Sequence, residues 1–436
     1  MMKTLTRLFA AGALLCASAT VYAGPDKLYS ITACPGEDAS TEMNISWAAD
    51  TSLKRSVVAY TEAKDVSLKK IRYARPLVEY CDLFKGIYSK NSKNEDFYQD
   101  VVFNKCGAEL KGLKPDREYI YWVLPGEDSL AERGSLELSQ ARRFKTAGAK
   151  EWSICIISDF HAYDPLPKRL EAASAMIDKI IEYDNDIDWI LHLGDVCAWG
   201  GSYSFWQNLY ENKHFKNYMW AGVNGNHDNM SRKYELTNRY FKNAGFYPRN
   251  GYEGEEGVCY FFKYGNALFI MLNNESMREE EGLQAAQEWV REVIAENPAD
   301  YVVVCEHYQW FFGADGSTSQ YGRWSELFDE CGVDLALSGN NHIYVRTDAL
   351  YGGRETDGTK GTVYIQSPSS DNERGQEKVS GEIEHNSGII KFRWNEGPAT
   401  VGGMHMSADK KMLTVKLLDR EGNILDSVNV LAKKKN

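Results

Sequence analysis

The hydrophobic pattern of this chain changes character near residue 148. Over residues 24–147 apolar positions come in short alternating or β-branched runs, such as Met43-Asn44-Ile45-Ser46-Trp47 and residues 56–60, 118–124 and 141–146. Turn formers such as Lys114-Pro115-Asp116 separate them. Period-two alternation buries one face of a strand, and short strands at regular spacing predict a β-sandwich. Ala147-Gly148-Ala149 reads as a linker. Beyond it, residues 166–183 place Leu170, Ala173, Ile177 and Ile180 on one face of a helix, and 282–296 and 323–331 also read as helices. Apolar runs at 152–158, 188–193, 219–223, 267–272, 301–305 and 333–337 read as strands. Strand–helix alternation predicts a layered α/β domain. Residues 412–418 and 424–431, around Glu421-Gly422-Asn423, predict a closing hairpin.

Met1 to Ala23 has the form of an export leader. Lys3 and Arg7 precede an apolar run, and Val21-Tyr22-Ala23 is a small-residue cleavage site. The run is short for a membrane span, and no later stretch is apolar enough to cross a bilayer. The expected location is therefore periplasmic or extracellular. The 436 residues are 43% hydrophobic and 26% charged, ordinary values for a globular chain that can bury a large core without staples. Of the nine cysteines, Cys16 lies in the leader. Cys81 with Cys106 is the candidate bridge, and Cys155 and Cys305 sit in apolar runs as core residues. A net charge of −12 argues against nucleic acid as a stable partner. It leaves room for a small phosphorylated substrate if metal ions supply the positive charge.

Five loops that follow predicted strands each hold a metal-type side chain: Asp159-Phe160-His161, Gly194-Asp195, Gly225-Asn226-His227-Asp228, Glu306-His307 and Gly339-Asn340-Asn341-His342. In layered α/β folds such loops converge on one crevice. Paired carboxylates, imidazoles and amide oxygens suit borderline cations such as Zn, Fe or Mn.

This order of motifs resembles the calcineurin-like metallophosphoesterase superfamily from about Trp152 onward, with Gly225-Asn226-His227-Asp228 its most specific element. Leu113-Lys114-Pro115-Asp116-Arg117-Glu118-Tyr119 resembles the turn before a late strand of fibronectin type III domains. Together they resemble the purple acid phosphatase branch. The resemblance implies a fibronectin type III-like sandwich at 24–147, then a metallophosphoesterase domain at 148–436, a double β-sheet flanked by helices. It implies two divalent or mixed-valence metal ions: Asp159, His161 and His342 on the first, Asp195 bridging, and Asn226 and His307 on the second. His227 is implied to face the substrate and assist the leaving group. The implied function is an exported dimetal phosphatase that hydrolyses phosphomonoesters by attack of a metal-held hydroxide. A phosphodiesterase or nucleotidase is the alternative, or a catalytically weakened binding protein.

Two positions depart from that branch. His161 is present, and Ala198 stands where purple acid phosphatases carry a tyrosine, so no tyrosinate colour is expected. Asn340 stands where the last motif normally has a histidine. An amide oxygen is a weaker, neutral donor, so the second cation site is expected to be weaker or to favour a harder ion. Tyr308 and Trp310 are candidates for an aromatic wall against the substrate, and Arg374 for a phosphate contact. His192 reads as a packed strand residue. His214, His385 and His405 read as surface or loop residues, and Arg346 as the partner of an internal carboxylate.

Overall fold

The computed structural model describes residues 28–432, except 66–69, 91–95, 127–135, 150, 165, 232–235, 312–318, 372, 374, 376–387 and 410. The expected leader lies outside the described residues, as do Arg374 and His385.

The N-terminal strands form two facing sheets. Leu28–Pro35, Glu42–Ala49, Asp96–Lys111 and Val78–Lys90 pair in that order, and Arg72–Ala74, Ser56–Glu62, Glu118–Pro125 and Arg142–Lys145 form the opposing sheet. Alternate residues Val58, Tyr60, Tyr119 and Tyr121 join Ile45, Trp47 and Ala108 in one core, while Ala59, Ile120 and Trp122 turn to the other face. The Trp47 indole N–H donates to Ser56 Oγ at 2.9 Å, a polar tie between the layers. This is the expected fibronectin type III-like arrangement. The first of these sheets does not end there. Leu28–Pro35 pairs in parallel with Met219–Gly222, at Ala33 and Met219, so the N-terminal strands continue a ten-stranded sheet. That sheet runs on through Trp189–His192, Trp152–Ile157, Gly402–Ala408, Met412–Asp419 and Ile424–Leu431.

A seven-stranded sheet lies against it, in the order Tyr260–Tyr264, Ala267–Met271, Tyr301–Cys305, Leu335–Ser338, Val363–Gln366, Tyr344–Thr347 and Ile390–Trp394. Its central strands are buried on both faces, which is why they read as unbroken apolar runs. Their residues divide by parity. Ala267, Phe269, Met271, Val303 and Cys305 meet the first sheet, with Trp189 stacking edge-on to Phe269 at 5.2 Å. Leu268, Ile270, Val302 and Val304 face outward onto the helices Glu280–Glu296 and Tyr321–Cys331. On the opposite side, Lys168–Tyr183 buries Ala173, Met176, Ile177 and Ile180. Each Ile or Met buried this way contributes about 1.5–3 kcal/mol. The result is the metallophosphoesterase architecture: two large sheets face to face, helices outside, and five strand ends opening at one edge.

All eight cysteines among the described residues are free. The Cys81–Cys106 bridge is therefore corrected: the register sets Cys81 opposite Asn104 and Cys106 opposite Glu79, with Cys81 exposed and Cys106 buried. His214 and His405 are buried rather than on the surface, because acids from distant segments meet them. His405 Nε2 lies 2.7 Å from Asp184 Oδ2, and His214 Nε2 lies 3.2 Å from Asp178 Oδ1. Arg346 pairs with Asp426, as expected, with Nε 2.5 Å from Oδ2.

Candidate metal centre

The five loops meet. Asp159 and His161 follow Trp152–Ile157, Asp195 follows Trp189–His192, and Asn226 and His227 follow Met219–Gly222, all from the ten-stranded sheet. His307 follows Tyr301–Cys305, and Asn340 and His342 follow Leu335–Ser338, from the seven-stranded sheet. The donor atoms of Asp159, His161 and His342 lie within 4.8 Å of one another. So do those of Asp159, Asp195 and His307, and those of His161, Asp195 and His227. Asp159 and Asp195 are each shared by two of these groups, and Asp195 lies between the imidazoles of His161 and His307. Asn226 Oδ1 is 3.1 Å from His307 Nε2. Asp159, His161, Asp195 and His307 are buried and form the floor, while Asn226, His227, Asn340 and His342 are half-buried at the mouth.

The backbone pays conformational strain for this convergence. Asp159, His161, Asp195, Asn340 and His342 all have positive φ, between 47° and 70°. Such values are uncommon outside glycine, and clusters of them mark sites where geometry is over-determined. Two glycines make room. A Cβ on Gly194 would stand 2.4 Å from His307 Nδ1, and one on Gly225 would stand 2.2 Å from Asp195 Oδ1.

Three imidazoles are held alike. The Nδ1–H of His161 donates to the Asp159 carbonyl at 2.8 Å, that of His307 to Leu193 at 2.7 Å, and that of His227 to Ala198 at 2.8 Å. A carbonyl only accepts, so the proton is on Nδ1 and each Nε2 is left for the centre. There it meets carboxylate oxygen. His161 Nε2 is 3.2 Å from Asp195 Oδ2, His307 Nε2 is 3.3 Å from Asp195 Oδ1, and His342 Nε2 is 3.4 Å from Asp159 Oδ1. Lone pair facing lone pair requires positive charge between them, a proton or a metal cation.

The electrostatics agree. Burial opposes ionisation of Asp195, yet the imidazoles of His307, His227 and His161 hold it well below the usual carboxylate range. Burial also opposes a charged His307, but the Asp195 and Asp159 carboxylates and the Leu193 carbonyl push it up to about 10. Behind the floor, burial and then the Asp195 charge push Asp228 up to about 8, against hydrogen bonds from the Cys197 and Gly225 N–H groups. Asp159 Oδ2 accepts from Ser158 Oγ at 2.5 Å and from the Asn340 N–H at 3.0 Å, whereas its Oδ1 is buried and accepts no hydrogen bond. A buried, unsatisfied carboxylate oxygen among oriented imidazoles fits a cation. The donor set fits two, one rich in imidazole and one richer in oxygen.

Asn340 points its Nδ2 at Gln309 Oε1, 2.5 Å away. Trp310 is not a wall of the pocket. It is fully buried, its indole N–H donates to the Ala336 carbonyl at 3.1 Å, and its ring packs on Phe328 and Tyr364. In the bend after His307, Tyr308 stays half-buried while Gln309 and Trp310 both turn inward. Tyr308 is half-buried beside His307, its hydroxyl donating to Glu275 Oε1 at 2.6 Å and accepting from Arg278 at 2.8 Å. The loop at Ser367-Pro368-Ser369-Ser370 braces the centre from behind, with Ser369 Oγ donating to the Asp159 carbonyl at 2.8 Å. The aromatic ring beside His227 is Trp199, at 5.3 Å between ring centroids. Neither Trp199 nor Asn274, which holds the His307 loop, is among the residues expected at the site. The signal for Asn274 was an Asn-Asn pair at a strand end in line with the other motif loops.

A double sheet whose strand ends gather carboxylates and imidazoles around cation positions is the architecture of metal-dependent phosphoesterases. Residues 153–344 match the model of the family described as calcineurin-like phosphoesterase. A purple acid phosphatase from yellow lupin (Lupinus luteus) seeds has the same fold. The alignment gives a TM-score of 0.68 at 15% identity, over 94% of this chain and 75% of that one. The structure of PhoD aligns at a TM-score of 0.55 and 14% identity, over 94% of each chain. In sequence, two proteins of Mycobacterium tuberculosis described as uncharacterized are 26% identical over 360 residues, 74% of this chain. The match spans 62% of the length of those relatives. Family and fold together imply a dinuclear metal site.

Proposed function

We propose that this chain is an exported dimetal phosphatase that hydrolyses phosphomonoesters. The observation that carries the reading is the floor of the centre, where Asp195 stands between the imidazoles of His161 and His307 and the buried Asp159 Oδ1 faces His342 Nε2 at 3.4 Å. Asp159, His161, His342 and Asp195 would hold one cation, and Asp195, Asn226, His307 and Asn340 the other. Two such cations, of Zn, Fe or Mn type, supply Lewis-acid charge and an activated water. The chain supplies the rest. The Ala198 carbonyl holds the Nδ1–H of His227 and leaves Nε2 toward the centre; carrying a second proton there, as imidazolium, the ring would donate it to a departing oxygen. The Leu193 and Asp159 carbonyls keep the other two rings from turning.

The monoester preference is supported by likeness to the lupin phosphatase over most of the chain, and export by the leader pattern at 1–23. Protein reconstituted with Mn, Zn or Fe should hydrolyse a chromogenic phosphomonoester faster than the matched diester. A strong diester preference would turn the assignment to a phosphodiesterase or nucleotidase. A second reading, a binding protein with weakened catalysis, draws on Asn340, a neutral donor in the second cation's shell. One tight metal and no turnover with any of the three ions would favour it.

A further inference from the structure

The side chains expected on the second cation come from different sheets. Asn226 belongs to a loop of the ten-stranded sheet and His307 to a loop of the seven-stranded one. Ladder hydrogen bonds order strands within a sheet, so the span between these two loops is set by side chains that cross the joint. Asn273 and Asn274, just past Ala267–Met271, lie in that joint, 0% and 3% exposed.

Asn274 Oδ1 accepts the backbone N–H groups of both His307 and Tyr308 at 2.8 Å, and its Nδ2 donates to Glu306 Oε2 at 2.9 Å. Asn273 Oδ1 accepts from Asn224 Nδ2 at 3.1 Å and from the Glu275 N–H at 3.3 Å. Its Nδ2 donates to Glu255 Oε2 at 2.9 Å and to Asn238 Oδ1 at 3.2 Å. The partners dictate both amide orientations, because a backbone N–H only donates and must face a carbonyl oxygen. One residue of the pair therefore grips the loop of His307, and its neighbour grips Asn224, two residues before Asn226. Beside the 3.1 Å contact of His307 Nε2 with Asn226 Oδ1, which is the span in question, two other polar ties cross the joint close by. The Tyr260 hydroxyl bonds both the N–H and the carbonyl of Gly222, deeper in the strand, and the His307 ring bonds Leu193, on the loop of Asp195. Neither reaches the loop of Asn226.

We propose that Asn273–Asn274 is a positioning pair that fixes the span between Asn226 and His307, and with it the affinity for the second cation. The proposal rests on the dinuclear reading. The test is titration of metal-free protein with Mn²⁺ and with Zn²⁺, with metals counted per chain. Wild type should take up two cations. Asn274→Ala should leave the first binding constant unchanged and weaken the second by about 10–100-fold, the usual effect of removing an outer-shell partner. Asn224→Ala cuts the link from Asn273 to the Asn226 loop, together with the longer 3.5 Å contact to Asn238 Oδ1, and carries the same expectation should Asn274→Ala not fold. Unchanged second affinity in variants with wild-type melting profiles overturns the positioning role alone, as does equal weakening of both cations. A wild type that takes up one cation overturns the dinuclear reading and the proposal with it.

Discussion

Replacing Lys105 by Met tests how tightly the sandwich is sealed against the catalytic unit. Lys105 stands on Asp96–Lys111 and is 2% exposed. Its Nζ donates to Ser46 Oγ at 2.5 Å and to the Asn243 carbonyl at 2.9 Å, the latter on the helix Arg239–Ala244. Burial pulls this ammonium from 10.5 down to about 8, against the opposing influence of Cys34 and Cys106. Those two thiols are themselves pushed up to about 11 by burial, so they stay protonated while Lys105 titrates. The folded chain releases the lysine proton near pH 8, whereas the unfolded chain keeps it to about 10.5. Between those values the unfolded state binds more protons at this lysine, so the lysine's contribution to stability rises with pH, while the two thiols act alike in wild type and variant. At 1.36 kcal/mol per unit the full span is about 3 kcal/mol. Lys105→Met has no such titration, and its lost hydrogen bonds shift its curve by a near-constant amount. Its stability relative to wild type should be level below about pH 7 and should fall by about 3 kcal/mol on reaching about pH 10.5. Denaturant unfolding followed by tryptophan fluorescence at several pH values reads this difference directly. A flat difference across the window would refute the claim that this ammonium is held out of water.

His227→Ala should lower turnover by about 10²–10⁴-fold while metal per chain stays at the wild-type value, seen by kinetics and metal analysis on one preparation. Full activity would remove His227 from the chemistry. Gly194→Ala forces a Cβ to 2.4 Å from His307 Nδ1 at a φ of 91°, so thermal melting should show a loss of about 1–3 kcal/mol and titration a weakened cation. Asn340→His exchanges an amide for an imidazole and should tighten the second cation. An unchanged titration would show that this side chain faces away.

The centre was legible because its chemistry is written in contiguous motifs. Gly194-Asp195 and Gly225-Asn226-His227-Asp228 keep their glycines where a Cβ would strike a ligand, so composition and geometry coincide. The central strands were legible for a related reason: burial on both faces leaves runs such as Tyr301–Cys305 unmixed. Other features depend on partners remote in sequence. Trp310 resembled a pocket aromatic because its neighbour Tyr308 does sit beside His307, and remote partners, the Ala336 carbonyl and the Phe328 and Tyr364 rings, draw it inward. His405 looked exposed until Asp184, 221 residues away, supplied its partner. The helix Tyr203–Glu211 was missed because Tyr203, Phe205, Trp206 and Tyr210 are indifferent helix formers, and the Ser202 side chain does not cap its first turn. Tertiary burial of those rings, rather than local propensity, sustains it.

The parallel contact between Leu28–Pro35 and Met219–Gly222 has a practical reach. A fragment cut at the apparent boundary near residue 148 would strip the neighbour from Met219–Gly222 and leave its N–H and C=O groups facing solvent. Such a bare, apolar rim invites another copy to add its own strand. The sandwich is thus a protective seam for the very strand that delivers Asn226 and His227, and excising it would leave a remainder prone to self-association.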